Sequence, residues 1–245
     1  MLTLVASMSR FMKPFFLLTA VLLAATAQAQ LGPEIARQHA ERAGEKLAEL
    51  KTLRAEGRTF IGGEMVPFTL LAERPNRLRV DTFSPLRRVI QGYDGLGAPW
   101  ISHTEFNGGA AQDMPAGDAR DFIANADFDG PLVNYADKGY SVDYAGEDTI
   151  EGRRALKLLV MSRTDDIFFL WVDAENHEVV KRSVYRAGRE GRVTIETLFK
   201  DFRPVAGVPQ PHRIETTANG RLLYVMIIDK MEPNVAVPAK AFVRP

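Results

Sequence analysis

No cysteine occurs among the 245 residues. Disulfides, thiol nucleophiles and thiolate metal sites are therefore excluded. So is lipidation of an N-terminal cysteine, which would mark a lipoprotein. The core must hold without cross-links, which a chain of this size can do. Histidine is scarce: His39, His103, His177 and His212 stand alone, with no His-x-x-x-His spacing. No metal site is predicted from them. No Gly-x-Ser-x-Gly is present, which removes the nucleophile elbow. Gly62-Gly63 and Gly108-Gly109 lack the strand-to-helix setting of a phosphate loop. Charge of one sign is also missing, since 31 basic residues face 31 acidic ones. Without a basic face or a run of like charges, no nucleic acid partner is expected. Carboxylates are plentiful, but Asp165-Asp166, Glu147-Asp148 and Glu151 lie where solvated turns are ordinary. None forms a preferred acid–base pair. No catalytic residue, cofactor or metal ligand is predicted, so function must be argued from a cavity.

What is present begins with a leader. Residues 1–29 read as a secretory signal peptide. Arg10 and Lys13 supply its positive end, Phe15 to Ala25 its apolar stretch, and Ala27-Gln28-Ala29 a small-x-small cleavage site. Cleavage after Ala29 leaves a mature chain from Gln30, of net charge −2. Met8 or Met12 is an alternative start. The apolar stretch is short for a membrane span, and a periplasmic location is expected. Residues 30–245 contain no repeat, linker or low-complexity tract and read as one domain.

Pro33 to Lys51 reads as a helix, with Ile35, Ala36, Ala40, Ala43, Leu47 and Leu50 forming one apolar stripe. About eleven strands follow, the first near 53–61, 67–73, 77–83, 86–92 and 98–104, and the later ones between 140 and 231. Gly62-Gly63, Pro75-Asn76, Ser84-Pro85 and Asp94-Gly95 punctuate them as hairpin turns. Two short helices interrupt the strands. One runs from a capping Asp118 through Asn125, and one opens at Asp129-Gly130-Pro131 and closes at Gly139. Leu156–Met161, Ile167–Val172 and Leu222–Ile228 are apolar on both faces, which implies cover on both sides. The fold class is mainly β. The expected form is an open, incomplete antiparallel barrel with an N-terminal helix and short plug helices on its concave face.

Apolar and aromatic side chains are then the functional currency. Leu70, Leu78, Trp100, Phe122, Leu132, Tyr135, Phe169 and Trp171 are the candidate cavity and plug residues, with plain core as the competing role for each. Burying ten methylenes contributes about 8 kcal/mol before ordering costs, and needs no catalytic group.

Glu73-Arg74-Pro75-Asn76-Arg77-Leu78-Arg79 joins two strands, and Asp94-Gly95 with Trp100 follows one hairpin later. Together with Gly130-Pro131-Leu132, the terminal Phe242-Val243-Arg244-Pro245 and the order of elements, these resemble the LolA-like family of periplasmic lipoprotein-sorting carriers. The resemblance covers most of residues 34–245. It implies an unclosed β-barrel that shields lipoprotein acyl chains on the way to the outer membrane. It also implies no cofactor, and a monomer in transient contact with membrane proteins. The implied partners are acylated lipoproteins or lipids, an inner-membrane release complex and an outer-membrane acceptor. By motif match, Arg74 corresponds to the arginine that holds the plug helices through their backbone carbonyls. Leu78 matches a cavity position that is often aromatic. The same fold serves lipid sensors that regulate a protein partner, so fold alone does not choose cargo. An envelope enzyme is the third class, and would need carboxylates or histidines converging in one cleft.

Overall fold

The computed structural model describes residues 13–84, 88–104, 108–163, 166–188 and 191–245. Arg10 of the expected leader, Pro85 of one predicted turn and Asp165 of the acidic pair lie outside these. Helix α1 is Lys13–Glu49. It is longer than the stripe predicts, because the helix begins at Lys13 and runs on through Pro33. Among the described residues, no helix is long and apolar enough to cross a membrane.

Thirteen strands among the described residues form one antiparallel sheet in the order β6-β5-β4-β3-β2-β1-β13-β12-β11-β10-β9-β8-β7. The first six are β1 Thr52–Ile61, β2 Glu64–Glu73, β3 Arg77–Phe83, β4 Arg88–Tyr93, β5 Trp100–His103 and β6 Ala111–Asp113. Helix α2, Ala116–Ala126, and a segment of turns then lead to β7 Ser141–Ile150. The rest are β8 Arg153–Met161, β9 Ile167–Asp173, β10 Val179–Gly188, β11 Gly191–Val205, β12 Val208–Ala218 and β13 Arg221–Pro233. The chain thus builds outward from β1 to the edge strand β6, crosses to the opposite edge at β7, and builds back until β13 pairs with β1. The sheet is open between β6 and β7.

Strand alternation decides what lies on each side. In β1, Leu53 and Ala55 are buried while Arg54 and Glu56 face water. Two apolar clusters cover the inner, concave face. Ile35 and Ala36 of α1 pack on Val142, Leu158, Phe168 and Leu170. Leu47 and Leu50 pack on Leu53, Ala72, Leu78 and Tyr93. Gly44 takes a positive φ of 65° and kinks α1 between the two groups. Near its middle α1 approaches β7 closely: a Cβ on Gly32 would sit 2.5 Å from the Val142 carbonyl oxygen.

Three expectations need correction. The strand count is higher than eleven; β6 is only three residues long and carries no alternation to detect. Helix α2 starts earlier than Asp118 and has no side-chain cap; Asp118 sits in its first turn. The second plug helix is a run of turns over 131–139. Asn134 there has φ 51°, a left-handed conformation that stops helical propagation. Among the described residues no helix or second sheet supplies the cover expected on the outer face of Ile167–Val172. Long basic side chains cover it instead: the Lys157 ammonium lies 4.4 Å from the Phe169 ring centroid, and that of Lys181 4.7 Å from Trp171.

Candidate functional site

The concave face is not filled. A cavity of about 440 Å³ lies between the two apolar clusters, within the range of ligand pockets. Its floor is the central sheet. Leu70 of β2, Leu170 of β9, Val184 of β10, Ile195 and Phe199 of β11, Ile214 of β12 and Met226 of β13 face into it. On β11 the lining positions Ile195, Thr197 and Phe199 recur every second residue, as one face of a strand requires. Ala43 and Leu47 of α1, α2 and residues 127–133 form the roof.

The roof segment is apolar at its centre and ionic at its rim. Leu132 enters one cluster and its neighbour Val133 the other, while Phe122 and Ala126 of α2 join Val133. Around them run four ion pairs. Arg74 bonds both carboxylate oxygens of Asp129. Arg186 of β10 holds Asp121. Arg120 meets Asp166 at 2.9 Å, and Lys138 meets Asp127 at 2.5 Å. Arg74 does more than pair: its Nη2 donates to the Leu47 carbonyl at 2.6 Å, its Nε to that of Leu50, and its guanidinium lies 4.7 Å from the Phe128 ring centroid. One side chain thus ties the end of β2 to α1 and to the roof. The resemblance implies plug carbonyls as its acceptors. The carbonyls it takes are those of Leu47 in the last turn of α1 and of Leu50 just beyond it, and the plug is held by a carboxylate.

The cavity also has polar groups. His39 bonds through Nδ1 to the His177 carbonyl at 2.8 Å, and burial pulls its pKa below the ordinary imidazole value. Burial pushes the Asp127 carboxyl above its usual range, against the pull of Lys138. Among the described residues, no group of three or more His, Asp or Glu could hold a metal ion.

No family model matches the sequence, and no curated protein matches it. Solved structures do. Superposition on a LolA superfamily protein from Nitrosomonas europaea covers 88% of this chain and 97% of that one, with a TM-score of 0.57 at 16% identity. A DUF1329 family protein from Desulfovibrio piger matches over the same shares with a TM-score of 0.59 at 11% identity. So does a domain described as outer membrane lipoprotein-sorting, from Vibrio parahaemolyticus, with a TM-score of 0.59 at 11% identity. The chain has a LolA-like fold.

Within this LolA-like sheet the predicted cavity residues separate by face. Leu70 and Leu132 line the cavity. Leu78 and Phe122 lie in the closed core beside it, and Tyr135 packs against the α1 side. Trp100, Phe169 and Trp171 are on the opposite, convex face, which corrects their assignment to the cavity. Trp100 lies over Gly92, where an added Cβ would meet its ring at 2.3 Å, and its Nε1 donates to the Phe242 carbonyl. Phe169 and Trp171 alternate with Phe168, Leu170 and Val172, which are the inward set. The reason is parity: a strand apolar on both faces does not disclose which face is inner. Asp129, Arg182, Ile214, Tyr224 and Met226 escape the sequence reading although they line the cavity. The alternating apolar residues of β11–β13 are the signal that could have found the last three.

Proposed function

We propose that the protein is a periplasmic carrier that binds acyl chains of lipoproteins or lipids in this cavity for transfer towards the outer membrane. The observation that carries the reading is the apolar cavity under a roof fastened by ion pairs at its rim. An apolar chain entering the cavity supplies burial energy of about 0.8 kcal/mol per methylene. The rim ion pairs can re-solvate when the roof moves, so opening exposes little that water cannot satisfy. Arg74 is the clamp of the empty state. It releases α2 and residues 127–139 when a chain displaces Leu132 and Val133. The lipoprotein-sorting description of the Vibrio domain supports this reading, as does the shape shared with it. Delivery from an inner-membrane complex and transfer to an outer-membrane acceptor are the partners it entails. No bond-breaking step is involved.

A second reading is a lipid-sensing module that regulates a protein partner. It is favoured by a cluster of exposed apolar residues at one end of the sheet. Phe60, Ile61, Met65, Leu222 and Leu223 are all at least 38% exposed, and the pairing of Ile61 with Tyr224 brings the two hairpin tips together. Native mass spectrometry of the protein purified from its own periplasm tests both. A co-purifying lipid or acylated polypeptide is the expected result. A clean empty mass that stays unchanged on incubation with diacyl lipid or lipopeptide removes the cavity reading. Recovery of one membrane signalling protein in place of lipoproteins selects the sensor.

A further inference from the structure

One side chain in the cavity does not suit a purely apolar cargo. Arg182, on β10, faces the cavity beside Leu170 and Val184. It is mostly buried, its Nε is fully buried without a hydrogen bond, and its guanidinium lies 5.0 Å from the Phe168 ring centroid. Among the described residues it has no carboxylate within ion-pair distance. An arginine cannot shed its proton to relieve that position. Burial disfavours its charge all the same.

The neighbouring charges are already engaged. Asp121 is the carboxylate that most favours the Arg182 charge, but it is bonded to Arg186. Asp166 is held by Arg120 and Asp127 by Lys138. Tyr140, also close by, has its phenol pushed above the ordinary value by burial and so stays neutral. Glu178, one residue before β10, feels Arg42 and is not among the charges that act on Arg182, while the His39 ring is neutral by burial. The β10 wall therefore carries one positive charge more than the protein compensates. A buried cation without a partner is costly, and persists where something outside the chain supplies the anion.

We propose that Arg182 is the headgroup site of the cavity, and that the cargo is an anionic amphiphile whose carboxylate or phosphate meets this guanidinium while its chain lies along β11–β13. This rests on the cavity reading given above and narrows it. Planar guanidinium donors match either anion in a two-point fashion. A neutral glyceride offers no such partner.

The test compares ligands of one chain length by titration calorimetry below their micellar concentrations. Palmitate supplies a carboxylate, palmitoyl lysophosphatidylglycerol a phosphate, and monopalmitoylglycerol no charge. At least one anionic ligand should bind about tenfold or more tighter than the glyceride, as expected for a charge-assisted hydrogen bond. Which of the two is preferred assigns the anion. Arg182→Gln should bring that ratio close to one, and Arg182→Lys should keep part of it. The empty Arg182→Met protein should melt higher than wild type, since an uncompensated charge has been removed. Equal binding of charged and neutral ligands by wild type overturns the headgroup site but leaves the cavity reading standing. So does a preference that survives in Arg182→Gln. A lower melting point for empty Arg182→Met overturns the headgroup site as well, by showing that the fold already compensates the charge. Failure of all three ligands to bind overturns both.

Discussion

Arg74 shows why residue type matters more than charge at the clamp. It serves four acceptor atoms at once: the backbone carbonyls of Leu47 in α1 and of Leu50 just after it, and two oxygens of Asp129. A lysine has three donors on one point and could not span them. Arg74→Leu should cost about 1.5–3 kcal/mol in the empty protein, the usual worth of charged hydrogen bonds in a partly buried setting. Asp129→Leu should cost a similar amount. The double variant should cost clearly less than the two together, because each single change already breaks the shared bond. Chemical denaturation of the four proteins measures this, and strict additivity would refute the clamp. Arg74 is marked in the sequence only through the resemblance its Arg-Pro turn carries, and its acceptors differ from those the resemblance implies. Asp129 is not legible there, because its partner lies 55 positions away and nothing in its surroundings marks it as a ligand. Trp100, Phe169 and Trp171 failed for another reason. Their size says that they are buried but not on which side, and the Lys157 and Lys181 stems that cover two of them look like ordinary surface charges.

Element by element, helix α1 is the best-announced part of the molecule. Its stripe of Ile35, Ala36 and Leu47, with Leu50 just beyond its end, is buried as the three- and four-residue spacing requires. Hairpin turns such as Asp94-Gly95 were equally plain, and Asp94 Oδ1 accepts the Leu96 and Gly97 amides at 3.0 and 2.9 Å. The segment after α2 departs from the sequence expectation because Gly130-Pro131 has the form of a helix start. The left-handed Asn134 breaks it into turns, and a lone Asn, though it tolerates that conformation, is a weak signal beside Gly130-Pro131. The docking of α1 carries a pH dependence through His39. Burial holds the folded pKa below the unfolded value of about 6.5. The unfolded chain therefore takes up the proton first as pH falls. The stability from neutral His39 is full above about pH 6.5 and is lost as pH falls through the lower folded value. Burial of Glu178 raises its pKa and works in the opposite direction. A difference measurement separates the two. At pH 7, His39→Gln should be about 1 kcal/mol less stable than wild type, from the bond to the His177 carbonyl. That gap should narrow by pH 5. A gap independent of pH would disconnect His39 from α1 docking.

For the whole molecule, the strand order has a consequence for time as well as shape. Every neighbouring pair of strands but one is consecutive in the chain, and the exception is the seam between β1 and β13. Each hairpin closes a short loop at small entropic cost, whereas the seam must bring together residues such as Phe60 and Val225. Two meanders, β1–β6 and β7–β13, can therefore zip independently and meet last. Mutations in a late-forming region accelerate unfolding and leave the folding rate nearly unchanged. Ile228, buried at the seam against Ala55 and Phe68, reports on this. Ile228→Ala should lose about 2–5 kcal/mol, with almost all of it in the unfolding limb of a chevron plot. An equal slowing of refolding would put the seam in the nucleus instead. If the seam does form last, the nascent protein spends its slowest moment as two half-sheets, each with an open inner face that only the other half can finish.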